Sequence, residues 1–243
     1  MISILPVEGL PEIEEGDDLA ALVAERAELE DGDVVIVAQK VVSKLEGRVV
    51  SLDDVEASLR AREIAGNWCD PRESEVILRE TAQIVRSRNS LVIAETRHGF
   101  VCASAGVDHS NAGDPDTLIL LPVDPDASAR RIRDTIHERA GVTVAVIVTD
   151  SFGRPFRRGT TDVAIGVAGL SPLLDLRGTQ DRAGRMLRST QVALADELAA
   201  AADLVRSSKA NGLPVVVVRG VDHMRREGTA RELVMPLERD LFR

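Results

Sequence analysis

Carboxylate and hydroxyl side chains follow an apolar run in the middle of the chain. The run, Val142–Val148, has the composition of a buried strand, and Thr149, Asp150 and Ser151 come directly after it. Oxygen atoms of these types are the ligands that a hard divalent cation takes in proteins. The pattern therefore predicts a metal site at the carboxyl end of this strand.

Basic residues crowd the loop that comes next. The loop is broken by Gly and Pro, carries Arg154, Arg157 and Arg158, and is followed by Asp162. Guanidinium groups bind phosphate and carboxylate oxygens as forked donors. Acidic and basic residues packed together favour a metal–phosphate site, and the alternative is a surface turn with ordinary ion pairs.

A polar, glycine-containing segment, Gly106–Asn111, carries a second set of candidates. The oxygens of Asp108 and Asn111 suit a metal ion, or an acid beside an amide that recognises a base. Both residue types also form ordinary turns, which is the alternative. His109 lies between them, and a lone histidine in a loop more often has no such role.

Two further segments end at predicted strands. Val34–Lys44 is predicted as one strand, which places Lys44 at its end as a point charge for phosphate, with Glu46 as a metal ligand or a partner of Lys44. The segment Arg206–Pro214 joins a predicted helix to a strand, where turns at a sheet edge often bind ligands. In both cases the alternative is a solvated chain end.

The composition limits the class of protein. A chain of 243 residues with 44% hydrophobic content can bury a substantial core. A net charge of −10 and an aromatic content of 2% argue against a nucleic-acid binder. Neither GxxxxGK[ST] nor a GxGxxG after a strand occurs. Two distant cysteines, no leader and no membrane-length apolar run predict a cytoplasmic protein.

Helical and strand patterns mix without a strict βαβ rhythm, which predicts an α+β fold with mixed sheets. No linker or repeat divides residues 1–243, so one domain is predicted. Helices are predicted at Leu19–Glu28, Leu52–Asn67, Pro71–Arg86, Ser128–Ala140, Arg188–Val205 and Thr229–Leu233. Further strands are predicted at Leu91–Glu95, Phe100–Ser104, Leu118–Pro122 and Pro214–Val218.

Six ordered blocks together resemble the coenzyme F420-0:gamma-glutamyl ligase family over almost the whole chain. The blocks are LPVEGLPEI with GDDL (Leu5–Leu19), DGDVVIVAQKVVSKLEGR (Asp31–Arg48), RHGFVCASAGVDHSN (Arg97–Asn111), LLPVDPDASA (Leu120–Ala129), VTDSFGRPFRRGTTDVAIGVAGL (Val148–Leu170) and ADELAAAADLV (Ala195–Val205). The chain is also similar to the N-terminal half of an actinobacterial two-domain relative, without its flavin-binding second domain.

The resemblance implies a ligase that adds L-glutamate to coenzyme F420-0 through gamma linkages, in successive additions. It implies GTP as co-substrate, two divalent ions (Mg or Mn) and a potassium ion. It also implies an irregular, two-lobed α+β fold in an intertwined homodimer. The partners implied are the small molecules F420-0 and L-glutamate, with neither nucleic acid nor a membrane.

Motif matching to the family assigns site residues. The implied metal ligands are Asp108, Asp150, Ser151 and Ser208. The implied GTP site comprises Leu10, Pro11, Glu12, Ile13, Gln39, Lys40, Lys44, Asn111, Arg206, Ser207, Ser208, Lys209, Ala210, Asn211, Gly212 and Leu213. On chemical grounds, we expect Lys44 and one or more of Arg154, Arg157 and Arg158 to offset the charge on the transferring phosphoryl group. Two positions depart from the family pattern: Gln39-Lys40 stands where many relatives carry Ser-Thr or Ser-Lys, and Ser208 stands where relatives carry Gln or Glu.

A carboxylate does not form an amide in water without activation, so we expect phosphorylation to create the leaving group. The substrate carboxylate would attack the γ-phosphate of GTP, and the glutamate amine would displace phosphate from the acyl phosphate. Other functions stay open at this point. They are a glutamyl ligase for another carboxylated or folate-like acceptor, a non-catalytic protein that binds GTP or metal, and a metal-dependent phosphohydrolase.

Overall fold

Short runs of valine, isoleucine and alanine form the centre of the molecule. The structure is a computed structural model and describes residues 1–110, 112–206, 212–222 and 226–242. The strands are β1 (Ser3–Pro6), β2 (Val34–Ala38), β3 (Val49–Ser51), β4 (Thr81–Arg88), β5 (Leu91–Thr96), β6 (Val101–Ala103), β7 (Thr117–Ile119), β8 (Ala145–Gly153), β9 (Thr160–Ala168), β10 (Leu174–Asp175), β11 (Gln191–Val192) and β12 (Val215–Arg219). The helices are α1 (Leu19–Arg26), α2 (Gln39–Leu45), α3 (Leu59–Ala65), α4 (Pro71–Glu80), α5 (Pro125–Ala140) and α6 (Leu194–Arg206), with short 3-10 turns at Leu52–Asp54, Ser104–Gly106, Ala230–Leu233 and Leu237–Arg239.

The main sheet has five strands in the order β1-β12-β2-β8-β9. β2 and β8 are parallel, with Val34 opposite Ala145 and Ala38 opposite Thr149, whereas the other neighbouring pairs are antiparallel. The inner strands consist almost wholly of Val, Ile and Ala because both of their faces are covered. The parallel pair brings the end of β2 beside the point where polar residues enter β8.

Helices α1, α5 and α6 cover this sheet and share one hydrophobic core with it. Asp18 caps α1 by accepting a hydrogen bond from the Ala21 amide. Asp124 caps α5 in the same way, and Gly141 in the left-handed conformation ends it. The prediction of an α+β fold with a mixed sheet is therefore confirmed.

Residues between β3 and β7 build two smaller apolar clusters. One packs around Leu52, Val76 and Leu118, and the other lies between α3, α4 and the three-stranded sheet β4-β5-β6. This segment also delivers the polar chain that contains Asp108 to the end of the main sheet.

Several predicted elements have different bounds in the structure. The predicted helix Pro71–Arg86 ends at Glu80, and the chain continues as β4 because its residues pair with β5. The helix predicted over Leu52–Asn67 forms only at Leu59–Ala65, capped by Ser58. Similarly, the helix predicted over Arg188–Val205 begins at Leu194, after β11 has paired with β10. The strand predicted at Val142–Val148 runs from Ala145 to Gly153, so Thr149, Asp150 and Ser151 lie within it.

Helix α5 approaches β9 very closely at Gly166. A Cβ atom on this glycine would lie 2.3 Å from the backbone oxygen of Pro125. Only a residue without a side chain fits, so the helix–sheet distance depends on this position. Among the described residues, no helix has the length and apolar content needed to cross a membrane.

Candidate active site

One side of the site is formed where strand β2 leads directly into helix α2. The strand ends at Ala38 and α2 begins at Gln39, so the prediction of one strand over Val34–Lys44 is wrong beyond Ala38. The polar side chains explain the change, because the buried Ser43 hydroxyl donates to Gln39 Oε1, one helical turn away, at 2.8 Å. Lys40 and Lys44 therefore lie on one face of a helix, four residues apart.

A strained turn delivers Asp108 to the same edge. Ser104, Ala105 and Gly106 all have positive φ angles, of 52°, 51° and 75°. Such angles are costly for residues with a Cβ and cluster at functional sites. Asp108 then exchanges two backbone hydrogen bonds with Ile119, at 3.0 and 2.8 Å, which fixes its position beside β7.

Lys40 and Asp108 form an ion pair at 2.7 Å between Nζ and Oδ2. Lys40 also donates to the Ser110 hydroxyl, and the Ser110 amide donates to Asp108 Oδ1 at 2.7 Å. Burial pushes the pKa of Asp108 upward, but the hydrogen bonds and charge of Lys40 and the Ser110 amide outweigh it, so this pKa lies below its ordinary value. His109, in contrast, points to Glu73 on α4, at 3.0 Å.

Asp150 is the carboxylate with the most perturbed ionisation in the site. Burial raises its pKa to about 6, against the hydrogen bond from the Ser151 amide, and the negative charges of Asp108 and Asp162 add to the rise while Lys40 opposes it. The structure thus brings Asp108, Asp150 and Lys40 within electrostatic reach of one another. A raised carboxyl pKa of this origin is typical of functional sites.

A buried hydrogen-bond network lies directly beside Asp150. Asp162 accepts from Ser151 Oγ at 2.6 Å, from Thr149 Oγ1 at 3.1 Å and from Arg206 Nη1 at 2.7 Å. From the sequence, Asp162 and Arg206 were separate candidates, and their ion pair was not predicted. The antiparallel pairing of β8 with β9 places Ser151 opposite Asp162.

The guanidinium of Arg206 is engaged inside the protein. Besides Asp162, it donates to Thr149 Oγ1 at 2.9 Å and to the backbone oxygens of Ile36 and Pro214 at 3.1 and 3.3 Å. Burial lowers the pKa of Arg206, against the charge of Asp162, but a guanidinium stays protonated at neutral pH. The predicted nucleotide contact of Arg206 therefore does not come from a solvent-facing guanidinium.

The segment Leu10–Ile13 lies close to α2. The family resemblance assigns residues of both segments to the implied GTP site. Lys44 forms an ion pair with Glu12, which is otherwise exposed. Leu10 packs against the main core and Ile13 is buried within it, so these two side chains anchor the segment. Glu46 is not a partner of Lys44, because it accepts from Ser128 and Arg131 on α5.

The three arginines lie at the tip of the β8–β9 hairpin. Because β8 continues to Gly153, this tip is about 10 Å beyond Asp150 along the strand. Arg154 donates to the backbone oxygen of Arg158, and both Arg157 and Arg158 are exposed. Their loop position is confirmed; Arg157 and Arg158 face solvent, whereas Arg154 is partly buried.

Several predicted site residues fall outside the part of the chain that the structure describes. These are Asn111, Ser207, Ser208, Lys209, Ala210 and Asn211. At the far end of the same turn, Gly212 is exposed with a φ angle of 60°, and Leu213 is partly buried just before β12.

The donor set of this site fits a hard cation. Across the described residues, no group of three or more His, Cys, Asp and Glu side chains could hold a metal ion. Asp108, Asp150 and the Ser151 hydroxyl nevertheless offer oxygen atoms only, and two carboxylates joined by substrate phosphates are the usual protein share of a magnesium site. Burial is the main cause of the raised pKa of Asp150, and the negative charges of Asp108 and Asp162 add to it; a bound divalent cation would relieve this repulsion.

The mixed sheet thus carries a cluster of carboxylates, hydroxyls and cationic side chains at the ends of β2 and β7 and within β8. Comparison with known proteins identifies the family. Residues 9–220 match the family described as F420-0:gamma-glutamyl ligase, and the chain belongs to this family.

Relatives of similar length carry a matching name. The chain is 45% identical over 250 residues to a protein from Methanothermobacter thermautotrophicus named coenzyme F420:L-glutamate ligase, which covers 100% of this chain and 99% of the relative. It is 49% identical over 247 residues to a protein of the same name from Methanopyrus kandleri, covering 100% and 98%. A third, from Haloarcula marismortui, is 44% identical over 249 residues, covering 100% and 96%.

Proposed function

We propose that this chain is a ligase that adds L-glutamate to coenzyme F420-0 in F420 biosynthesis, with GTP as co-substrate. Family membership over residues 9–220 supports the ligation. The structural observation that carries the proposal is the meeting of Asp108, Asp150 and Lys40 at the ends of β2 and β8, beside the Lys44–Glu12 pair. This arrangement can neutralise and orient phosphate oxygens next to a metal ion.

Amide formation needs an activated carboxyl group. In the proposed reaction an oxygen of the F420-0 carboxylate attacks the γ-phosphorus of GTP, and the bond to the bridging oxygen breaks to release GDP. The glutamate amine then attacks the carbonyl carbon of the acyl phosphate, and inorganic phosphate leaves. Repetition on the new γ-carboxylate gives successive gamma-linked additions.

The protein's contribution is positioning and charge compensation. Asp108 and Asp150 would hold one Mg²⁺ or Mn²⁺ ion, with Ser151 at a second ion, and a metal at this site would supply positive charge to offset the phosphate charge. A second divalent ion and K⁺ belong to the proposal through the family resemblance. Lys44, which pairs with the exposed Glu12, would exchange Glu12 for a phosphate oxygen, and Lys40 would hold Asp108 in place.

Mass spectrometry tests the ligation directly. F420-0 is incubated with the purified protein, L-glutamate and Mn²⁺, with and without GTP. We expect GTP-dependent mass increases of one or more glutamyl residues, with GDP and phosphate released only when both substrates are present. Phosphate release without glutamate would favour a phosphohydrolase, and GTP binding without any product would favour a non-catalytic binding protein.

Variants assign the site within the same assay. Asp108→Asn removes one proposed ligand, and Asp134→Asn is the matched control because Asp134 is an exposed carboxylate on α5 paired with Arg133. We expect Asp108→Asn to reduce turnover at least about 100-fold and the control to leave it unchanged. Full activity of Asp108→Asn would refute the metal assignment.

The exposed arginines at the hairpin tip have a separate test. We expect the double substitution Arg157→Ala and Arg158→Ala to raise KM for the anionic substrates, because solvent-facing guanidinium groups attract them electrostatically. The effect should shrink as salt increases, since ions screen exposed charges. A KM independent of both the substitutions and salt would exclude these arginines from substrate binding.

We also propose that the chain acts as a homodimer, as the family resemblance implies. Apolar side chains stand exposed on α3 and the small sheet, including Leu59 at 81% and Leu91 at 54%. Light scattering on the eluting protein would give the mass directly, and a mass near 26.2 kDa would refute a dimer.

A further inference from the structure

The carboxylate of Asp162 is a buried hub beside the proposed active site. Its side chain belongs to β9, the residue is 5% exposed, and three side chains donate to it. Two of the donors, Thr149 and Ser151, come from β8 and stand on either side of Asp150 in the sequence. The third donor is Arg206, the last residue of α6.

Hydrogen counting shows what this hub does to the two hydroxyl groups. A hydroxyl has a single proton to donate and two lone pairs that accept. Ser151 Oγ gives its proton to Asp162 at 2.6 Å, so its lone pairs point away from Asp162. Thr149 Oγ1 gives its proton to Asp162 and accepts from Arg206 at 2.9 Å, so it is held from both sides.

Alternation along a strand turns these contacts into a constraint on Asp150. Residues 149 and 151 point to one face of β8, whereas residue 150 points to the other. Fixing the side chains on both sides of Asp150 fixes the backbone that carries it. Asp162 thereby controls the direction of Asp150 although it makes no hydrogen bond to it among the described contacts.

Arg206 makes the buried hub tolerable and ties it to the rest of the sheet. An unpaired carboxylate at this depth would be strongly destabilising. The guanidinium compensates it at 2.7 Å and also binds the backbone oxygens of Ile36 in β2 and Pro214 before β12. One side chain therefore links β2, β8, β9 and the approach to β12.

We propose that Asp162 and Arg206 form the positioning pair of this active site. They orient the Ser151 hydroxyl and the Asp150 carboxylate without contacting a substrate. The inference rests on the proposed function, in which Asp150 holds one metal ion and Ser151 contacts a second, and it adds two residues that act through them.

The chain contains a matched control for a purely structural effect. Asp33 is 1% exposed and pairs with Arg219 at 2.9 Å from Nε and 2.8 Å from Nη2. This pair joins the start of β2 to β12, roughly 16 Å along β2 from the Asp162 end. Breaking it removes a comparable buried ion pair from the same sheet without touching Thr149 or Ser151.

The experiment compares Asp162→Asn and Arg206→Lys with Asp33→Asn and Arg219→Lys. For each variant we measure kcat, the KM values, the melting temperature, and the rise in melting temperature that Mn²⁺ produces. We expect both Asn variants to melt earlier than the parent protein. Asp162→Asn should lower kcat at least about 50-fold and remove most of the rise in melting temperature that Mn²⁺ produces, while KM for glutamate changes less than about threefold. Asp33→Asn should keep both the parent kcat and the parent response to Mn²⁺. Arg206→Lys, which keeps the charge, covers the case in which Asp162→Asn does not fold.

A double-substitution cycle distinguishes positioning of Ser151 from a general loss of stability, because it measures whether the kcat losses at the two residues are coupled. If Asp162 acts through Ser151, the loss caused by Asp162→Asn should be much smaller in a Ser151→Ala background. Additive losses, or equal kcat losses in the Asp33 control, would overturn the proposal. If the parent protein binds Mn²⁺ but forms no product, the proposed function fails, and the Mn²⁺ measurement still decides whether the pair positions the site.

Discussion

Replacing Asp150 by Asn should make the metal-free protein more stable at neutral pH while removing its activity. In the folded chain, burial raises the pKa of Asp150 from 3.8 to about 6, and the nearby charges of Asp108 and Asp162 add to this rise. The ionised form is therefore disfavoured in the folded state. Asn keeps the shape of the side chain and an oxygen that accepts from the Ser151 amide, which donates at 2.9 Å.

The sign and size of the effect follow from proton linkage. Because the folded pKa lies above the unfolded one, the folded protein binds more protons between these values, and its stability falls as pH rises from 3.8 through about 6. At about 1.4 kcal/mol per pH unit, the full difference corresponds to about 3 kcal/mol. Water reaches this partly buried side chain, so we expect about 2 kcal/mol, or roughly 4–8 °C in melting temperature.

Asp108 supplies a control of opposite sign in the same site. The pKa of Asp108 lies below its ordinary value, because Lys40 and the Ser110 amide outweigh the effect of burial. Its carboxylate therefore stabilises the fold above its ordinary pKa, and this contribution is lost as pH falls through the folded pKa. We expect Asp108→Asn to lower the melting temperature at neutral pH.

Thermal unfolding of the parent protein and both variants, in a chelator at pH 7.5 and at pH 4, tests this reasoning. The gain of Asp150→Asn should be present at pH 7.5 and nearly absent at pH 4. A gain that does not depend on pH would show that repacking rather than charge causes it. A loss of stability in Asp150→Asn at pH 7.5 would refute the electrostatic account of this carboxylate.

Two further predictions concern packing and thiol chemistry. Gly166→Ala should destabilise the fold by about 1–3 kcal/mol in urea unfolding, because its Cβ would lie 2.3 Å from the Pro125 oxygen, whereas Gly153→Ala, whose Cβ meets nothing within 4 Å, should change stability little. Equal losses would refute the close-approach argument. Burial, and then the charge of Asp150, raise the pKa of the Cys102 thiol to about 12, so a thiol reagent at pH 8 should modify Cys69 alone in the folded protein. Rapid reaction of both thiols in the folded protein would contradict this prediction.

Local patterns located part of the fold. Apolar runs located β2, the first half of β8 and β12, and the start of α1 was predicted at Leu19, whereas β1 and β9 were not predicted and α5 begins at Pro125, three residues before its predicted start. The errors fall where long-range pairing overrides a local pattern. Residues after Glu80 continue a helical pattern in the sequence, yet they form β4 because β5 offers them a ladder of backbone hydrogen bonds.

The site was predictable as a set of residues but not as a set of contacts. Asp108 and Asp150 were found, yet the sequence placed Lys44 at a strand end, whereas α2 separates Lys40 and Lys44 by one helical turn. Lys40 pairs with Asp108 and Lys44 pairs with Glu12 as a result. A single helix therefore divides two neighbouring cations between two different carboxylates, which only the fold decides.

Charge compensation explains why Asp150 is the perturbed member of the cluster. Asp162 is neutralised by the buried guanidinium of Arg206, and Asp108 is neutralised by Lys40. Burial raises the pKa of Asp150 most, the hydrogen bond from the Ser151 amide opposes the rise, the negative charges of the other two carboxylates add to it, and Lys40, already paired with Asp108, offsets it only in part. The cluster thus has one carboxylate more than its two cationic side chains compensate. A site with this imbalance attracts a cation to Asp150, and the cost to folding and the affinity for metal have the same electrostatic origin.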